Sequence, residues 1–328
     1  MSVDIMNIPP CSTAKHYNTG RSDCFIEMQK PIMVIFAPMT HRITAANRAD
    51  LTTFKAFIQA EALAGHVFPI SDLVLSADNS EDMTVSTDAY GTKKVSKDGD
   101  YDWTFESSTG GNCFNAIMRS LNKMNYGVYV IDSDQTFFAT QVTAGGDMRP
   151  VTTSFHYTPK FKIANGTDSS KYYLRVALSR PEEINDASKL AYVAGNDETG
   201  VSIDYPTEVL GNLDVKLSVV TNANDALTIK ARLMCGNLDL YDLFDDELAA
   251  VAAWKFTNAS TGAAITITGV TKDATNKGWI LAHATAAAAL VTSTGAVTWA
   301  ALTPVSVGGS GENGYECDTL AVTLTHTT

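Results

Sequence analysis

The amino-acid sequence predicts a mainly β protein with two short helices, arranged as two antiparallel β-sandwiches in tandem. Three observations carry this. The polar residues are largely Thr, Ser, Asn and Gly, and charged residues make up only 18%, a composition that suits strands and turns over helices. Short apolar–polar alternations recur along most of the chain, separated by Gly, Asn, Asp and Ser clusters. Clear helical spacing occurs in only two stretches. The 328 residues suffice for two domains, and an apolar share of 45% supplies a sizeable core.

Residues 1–46 show little periodicity and contain Pro9, Pro10, Pro31 and Pro38, which predicts an extended N-terminal arm or irregular strands. From Asn47 to Ala64, Leu51, Phe54, Phe57, Ile58 and Leu63 fall at helical spacing, and Gly65 is placed to close the helix. In MTVSTD, Met83, Val85 and Thr87 alternate with Thr84, Ser86 and Asp88, as in a strand. The stretch YGTKKVSKDGDYDWTFE reads as a hairpin. Val95 would lie on its incoming strand, Asp98-Gly99 in the turn, and Tyr101, Trp103 and Phe105 on the buried face of the outgoing strand. A second helix is predicted over Asn112–Met124, with Phe114, Ile117, Met118, Leu121 and Met124 on one side. VYVID, TFFAT, FHYTPKFKI and YYLRVALS follow as strands.

The texture shifts around Pro206–Asn212, so the sequence divides into an arm at 1–46, a β-rich domain with flanking helices at 47–210, and a final domain at 211–328. In the last of these, DVKLSVV and LTIKARL flank the turn sequence TNAND. WKFTN, AAITITGV, GWILAHAT, AVTWAAL and LAVTLTHT then recur at roughly ten-residue intervals, the spacing of an immunoglobulin-like sandwich. Trp254, Trp279 and Trp299 are its candidate core, and Asp245-Asp246-Glu247-Leu248 is predicted to start one helical turn.

Local chemistry finds little support. Asp98, Asp100 and Asp102 alternate as in a calcium loop, but Trp103 and Thr109 stand where an EF-hand needs Gly and Glu. Gly309-Ser-Gly311-Glu-Asn-Gly314 matches a dinucleotide fingerprint, yet only 14 residues follow it and they read as a strand. The six histidines at 16, 41, 66, 156, 283 and 326 form no H-E-x-x-H, and neither a G-x-S-x-G elbow nor a Walker A sequence is present. His156 and His283 read as ordinary sheet residues, and the acidic run of Asp72, Asp78, Glu81 and Asp82 as solvated surface. The cysteines at 11, 24, 113, 235 and 317 include no C-x-x-C, and Cys113 reads as a small buried hydrophobe. No catalytic, cofactor-binding or metal-ligating residue is therefore predicted, nor an enzyme.

Net charge is −12 with a pI near 4.9, which argues against tight nucleic-acid binding. Both parts are acidic: residues 213–328 hold 6 basic and 11 acidic residues, net −5, leaving −7 for the remainder. The opening MSVDIMNIPP has an acid where a signal peptide carries basic residues, and PIMVIFAPM is too short to span a bilayer. The expectation is synthesis in the cytoplasm without membrane insertion.

In its order of elements the chain resembles the tail tube proteins of long-tailed bacteriophages. The resemblance rests on MTVSTD, YGTKKVSKDGDYDWTFE, the helix NCFNAIMRSLNKM, the strand VYVID, FKIANGTDSSKYYLRVALSRPEE and an appended immunoglobulin-like domain. It covers most of residues 66–328, and the arm and first helix have no counterpart in it. It implies a tail-tube-like sandwich of two antiparallel sheets that self-assembles as stacked homo-oligomeric rings around a DNA-conducting channel in the virion tail. The implied partners are other copies of the chain, other virion proteins, DNA in transient non-specific passage, and host surface glycans for the last domain. Two alternatives stay open at this point: a head decoration or tail-completion virion protein, and a carbohydrate-binding or adhesive surface protein.

Overall fold

The computed structural model describes residues 28–97, 99–107, 111–122, 124–142, 146–167, 169–186, 189–196, 200–211, 213–235, 238–293, 315–317 and 319–326. They fall into two compact units that divide between Val209 and Leu210. The protein is mainly β, with short helices and several antiparallel sheets.

The first unit opens on β1 (Pro31–Pro38), followed by α1 (Leu51–Leu63), β2 (Phe68–Ile70) and β3 (Val74–Asp78). Next come β4 (Thr84–Thr87), β5 (Lys93–Lys97), β6 (Asp102–Ser107) and α2 (Gly111–Leu121). β7 (Tyr126–Asp132), β8 (Phe137–Gln141), β9 (Met148–Arg149) and β10 (Thr153–Tyr157) continue the chain. It ends with β11 (Tyr172–Leu178), α3 (Glu182–Asn185), β12 (Leu190–Val193) and α4 (Tyr205–Glu208).

One sheet has the order β12-β8-β7-β1-β2, with β9 beside β8, and the other the order β10-β11-β6-β3. The stretch PIMVIFAP, read from sequence as part of an extended arm or irregular strands, is the buried strand β1, paired on one side with β7 and on the other with β2. Its continuous apolar run is explained by burial on both faces. Met33, Ile35 and Ala37 join Leu51, Phe54, Ile58 and Ala62 of α1 in one core. Val34 and Phe36 point the other way, toward Trp103, Phe105, Leu174 and Val176 of the second sheet. Strand β7 alternates in the same manner, with Tyr129 and Ile131 on the helix side and Val128 and Val130 on the sheet side. The unit is therefore three layers deep: α1, the β1-containing sheet, and the β6-containing sheet. Residues 1–27 of the predicted arm lie outside the described residues.

Helix α1 starts where Asp50 accepts a hydrogen bond from the Thr53 backbone N–H at 2.7 Å, and Gly65 follows it with φ 70°. In α2, Met118 and Leu121 are buried, whereas Ile117, predicted on the same apolar side, is 43% exposed. Met124, also predicted there, lies beyond the helix end and is exposed. Of the predicted strand FHYTPKFKI only the start is β10, which ends at Tyr157, while Lys162 makes an isolated bridge to Lys171.

The predicted hairpin is assembled differently. β5 pairs back onto β4, not forward onto β6, and β6 lies between β3 and β11. The turn that wins is Asp88–Thr92. The Asp88 side chain accepts from the backbone N–H groups of Tyr90 and Thr92, each at 2.9 Å, and Gly91 takes φ 83°. Gly99 serves close approach: a Cβ there would stand 2.5 Å from the Glu81 carbonyl oxygen. Asp98 lies outside the described residues. Trp103 and Phe105 are buried as expected, while Tyr101 is half-buried. Asp102 lies on the opposite side of β6, where the alternation predicts solvent, but Arg175 of β11 covers it with a forked ion pair.

The second unit comprises β13 (Leu213–Ala223), β14 (Ala226–Leu233), α5 (Tyr241–Phe244), β15 (Trp254–Asn258) and β16 (Ala264–Ile265). Then follow β17 (Ile267–Asp273), β18 (Gly278–His283), β19 (Ala287–Ser293), β20 (Tyr315–Cys317) and β21 (Leu320–Leu324). One sheet has the order β17-β18-β14-β13-β20 and the other β16-β15-β19-β21. All pairs are antiparallel except β13 with β20. Both sheets contribute to one core, in which Trp254 and Trp279 lie 5.6 Å apart between ring centroids. Trp299, AVTWAAL and the Gly309–Gly314 segment lie outside the described residues. The acidic Asp245-Asp246 pair sits between α5 and a 3₁₀ turn at Glu247–Ala249.

Candidate assembly surface

Two features of the first unit stand out once the core is accounted for: a polar chain beside α1, and the β4–β5 hairpin. The polar chain brings together residues far apart in sequence. His41 Nδ1 lies 2.8 Å from the Tyr129 hydroxyl, and its Nε2 lies 3.2 Å from Glu61 Oε2. His66 Nδ1 reaches the same Glu61 oxygen at 3.0 Å. The simplest proton assignment has Tyr129 O–H donating to His41 Nδ1, and the N–H groups of both histidines donating to the carboxylate.

Tyr129 is fully buried, and that burial pushes its phenol well above the ordinary tyrosine range, so it stays protonated and donates a hydrogen bond. Burial holds the His41 pKa below the usual imidazole value of 6.5, although the Glu61 carboxylate pulls the other way. A histidine with a lowered folded pKa leaves stability intact above its unfolded pKa and removes it as pH falls below. The melting temperature of the first unit is therefore expected to drop as pH falls from about 6.5. His41→Gln should flatten that slope, which thermal unfolding followed by circular dichroism at several pH values will check.

The β4–β5 hairpin has the opposite character. Among the described residues its strands pair only with each other, and every residue from Thr84 to Ser96 is exposed. Val85 and Val95 are register partners at 44% and 55% exposure, with Met83 at 61% near the base and Tyr90 at 95% at the tip. Ser86 and Ser96 donate to backbone carbonyls across the ladder, to Lys94 O at 3.3 Å and Thr84 O at 3.0 Å. An isolated two-stranded hairpin is marginal in water, so the four exposed apolar side chains on this one make it a candidate contact surface. The outer strands β3 and β10 add unpaired backbone edges, and β10 presents Phe155 and Tyr157 outward.

At the hairpin base a groove of about 500 Å³ is lined by Ser80, Glu81, Asp82, Met83, Gly99, Asp100, Tyr101, Pro181, Glu182 and Asn185. Among the described residues, no group of three or more His, Cys, Asp or Glu is placed to hold a metal ion. The acidic run is split up by the fold. Asp78 lies in β3 and accepts from the Ser80 backbone at 3.0 Å, whereas Glu81 and Asp82 face the groove.

His156 is a buried sheet residue, its Nε2 2.6 Å from the Leu121 carbonyl oxygen. His283 is likewise buried in β18. Of the predicted elements, nothing in sequence signalled the His41–Glu61–Tyr129 chain, because His41 and Tyr129 stand 88 positions apart. Of the exposed hairpin, sequence signalled β4 as a strand and β5 as the incoming strand of a different hairpin.

Tyr205 offers a cleaner test of packing. It is fully buried against Phe137, its hydroxyl has no hydrogen-bond partner among the described residues, and burial raises its pKa well above the usual value. Tyr205→Phe removes an unpaired polar atom and should stabilise the first unit by about 1 kcal/mol in denaturant unfolding.

No family model matches the chain, and no curated protein matches it. No helix among the described residues is long and apolar enough to cross a membrane.

Proposed function

We propose that this chain is a virion structural protein, the tail tube subunit of a long-tailed bacteriophage, which self-assembles into stacked rings around a channel that conducts DNA. The observation that carries the reading is the β4–β5 hairpin, a two-stranded element that carries Val85, Tyr90 and Val95 and that no other described element covers. Such an element gains stability only when something covers it, and a repeating assembly supplies the cover in every copy. The exposed edges β3 and β10 support the same reading, since pairing with neighbours satisfies backbone groups that otherwise invite aggregation. Net charge supports the DNA-conducting role: a surface at −12 overall gives phosphates little to adhere to, because adhesion needs Lys or Arg to displace counterions.

The second unit is read as an immunoglobulin-like decoration. Lettered in chain order from β13, with β20 and β21 as two halves of a last strand, its sheets run D-E-B-A-G and C′-C-F-G. Trp254 and Trp279 are core residues, so any contact with host glycans falls to other side chains.

The test is the solution mass of the purified full chain and of a chain ending at Val209. Both are expected to sediment as a multiple of the monomer that grows with concentration. Assembly of the full chain but not of the truncated one would place the second unit in the main contact. Monomers in both cases would remove the self-assembly reading.

A further inference from the structure

We infer that Asn165 is a self-modifying site: its side-chain amide closes onto the Gly166 nitrogen and loses ammonia, with Thr167 activating the amide carbonyl. Asn165-Gly166-Thr167 lies between β10 and β11, in a segment closed by the Lys162–Lys171 bridge. The Lys162 N–H donates to the Lys171 carbonyl at 2.8 Å, and the Lys171 N–H donates back to the Lys162 carbonyl at 3.1 Å. Every residue from Lys162 to Thr167 is exposed. Two donors converge on one oxygen: Asn165 Oδ1 accepts from the Thr167 backbone N–H at 2.9 Å and from the Thr167 hydroxyl at 3.0 Å. The ring closed by the first of these bonds contains the Gly166 nitrogen, so the amide carbon is tied back to the stretch of backbone that attacks it. Gly166 itself has no side chain to crowd that approach.

These are the parts an intramolecular acyl transfer needs. The Gly166 nitrogen gives up its proton to hydroxide and attacks Asn165 Cγ. Oδ1 takes the negative charge of the tetrahedral intermediate, and both Thr167 donors already point at that oxygen. The Cγ–Nδ2 bond then breaks, Nδ2 takes a proton from water and leaves as ammonia, and a five-membered succinimide remains. Water opens that ring at either carbonyl, giving aspartate or isoaspartate. Both products add one negative charge to a chain already at −12. Isoaspartate also routes the main chain through the former side chain, which lengthens the loop inside the Lys162–Lys171 bridge.

The test holds the full chain at mildly alkaline pH and follows residues 163–171, which trypsin releases between Lys162 and Lys171, by mass spectrometry. The native chain should convert Asn165 progressively, and faster as pH rises, because the attacking nitrogen must lose its proton. Heavy-oxygen water should enter both products. Thr167→Val keeps the backbone donor and removes the hydroxyl, and should slow conversion about threefold or more. Gly166→Ala meets no heavy atom within 4 Å of the added carbon and should slow conversion by crowding the attack. Both positions are exposed, so both variants should melt like the native chain. A synthetic peptide of residues 160–171, which has the sequence without the tertiary frame, should convert more slowly than the native chain. An amide that persists in the native chain while the peptide converts would overturn the site. Equal rates in the native chain and the folded Thr167→Val variant would overturn the activation by Thr167.

Discussion

Glu183→Ala is expected to destabilise the first unit by about 3–5 kcal/mol, the cost typical of breaking a buried ion pair from one side. Glu183 lies in α3, and its side chain is only 2% exposed. One carboxylate oxygen accepts from Arg149 Nη2 at 2.6 Å and from the Thr152 hydroxyl at 3.0 Å. The other accepts from the Thr152 backbone N–H at 2.7 Å. This single side chain thus ties α3 to the segment between β9 and β10. Alanine leaves the Arg149 charge and the Thr152 N–H without their acceptor in a largely closed site. Glu183→Gln should cost less, since an amide oxygen still accepts one hydrogen bond. Urea unfolding of the three proteins measures the order. Equal loss from both variants would mean that volume, not charge, matters at this site.

Trp279→Ala is expected to cost a similar amount, about 3–5 kcal/mol, in the second unit. Its ring is fully buried, 5.6 Å from both Trp254 and Tyr241. Its Nε1–H donates to the Asp245 carbonyl oxygen at 3.2 Å, while Trp254 donates to the Leu248 carbonyl at 2.7 Å. The two indoles therefore hold the irregular segment from α5 to β15 onto the sandwich, besides filling its core. Because the first unit has its own cores, calorimetry should show one transition falling and the other unmoved. A uniform fall of both transitions would contradict the independence of the two cores.

The sequence was most informative where one face of an element is buried. Leu51, Phe54 and Ile58 marked α1, and the alternation of Trp103 and Phe105 marked β6. It was least informative where both faces are buried. PIMVIFAP shows no period because each residue from Ile32 to Ala37 meets a core, and an apolar run without alternation carries no sign of its partners. β19 escaped notice for a different reason: AAALVTS is rich in Ala, which is depleted in strands, and only pairing with β15 and β21 makes it one. The hairpin error came from two competing turn signals ten residues apart. Asp98-Gly99 is the stronger dipeptide, but the Asp88 cap and Gly91 close the ladder. Nothing local separates those outcomes, since the choice depends on β6 finding β3 and β11. The contact surface was illegible for the same reason. Val85 and Val95 read simply as strand residues, and only the tertiary fold leaves them exposed.

Electron microscopy of the purified full chain, concentrated at physiological salt, tests the central claim most directly. The account predicts rings or hollow tubes with a continuous central channel, built from repeating copies, that shorten or dissociate as salt is raised. Particles of single-chain size at every concentration and salt, with the fold intact, would contradict it.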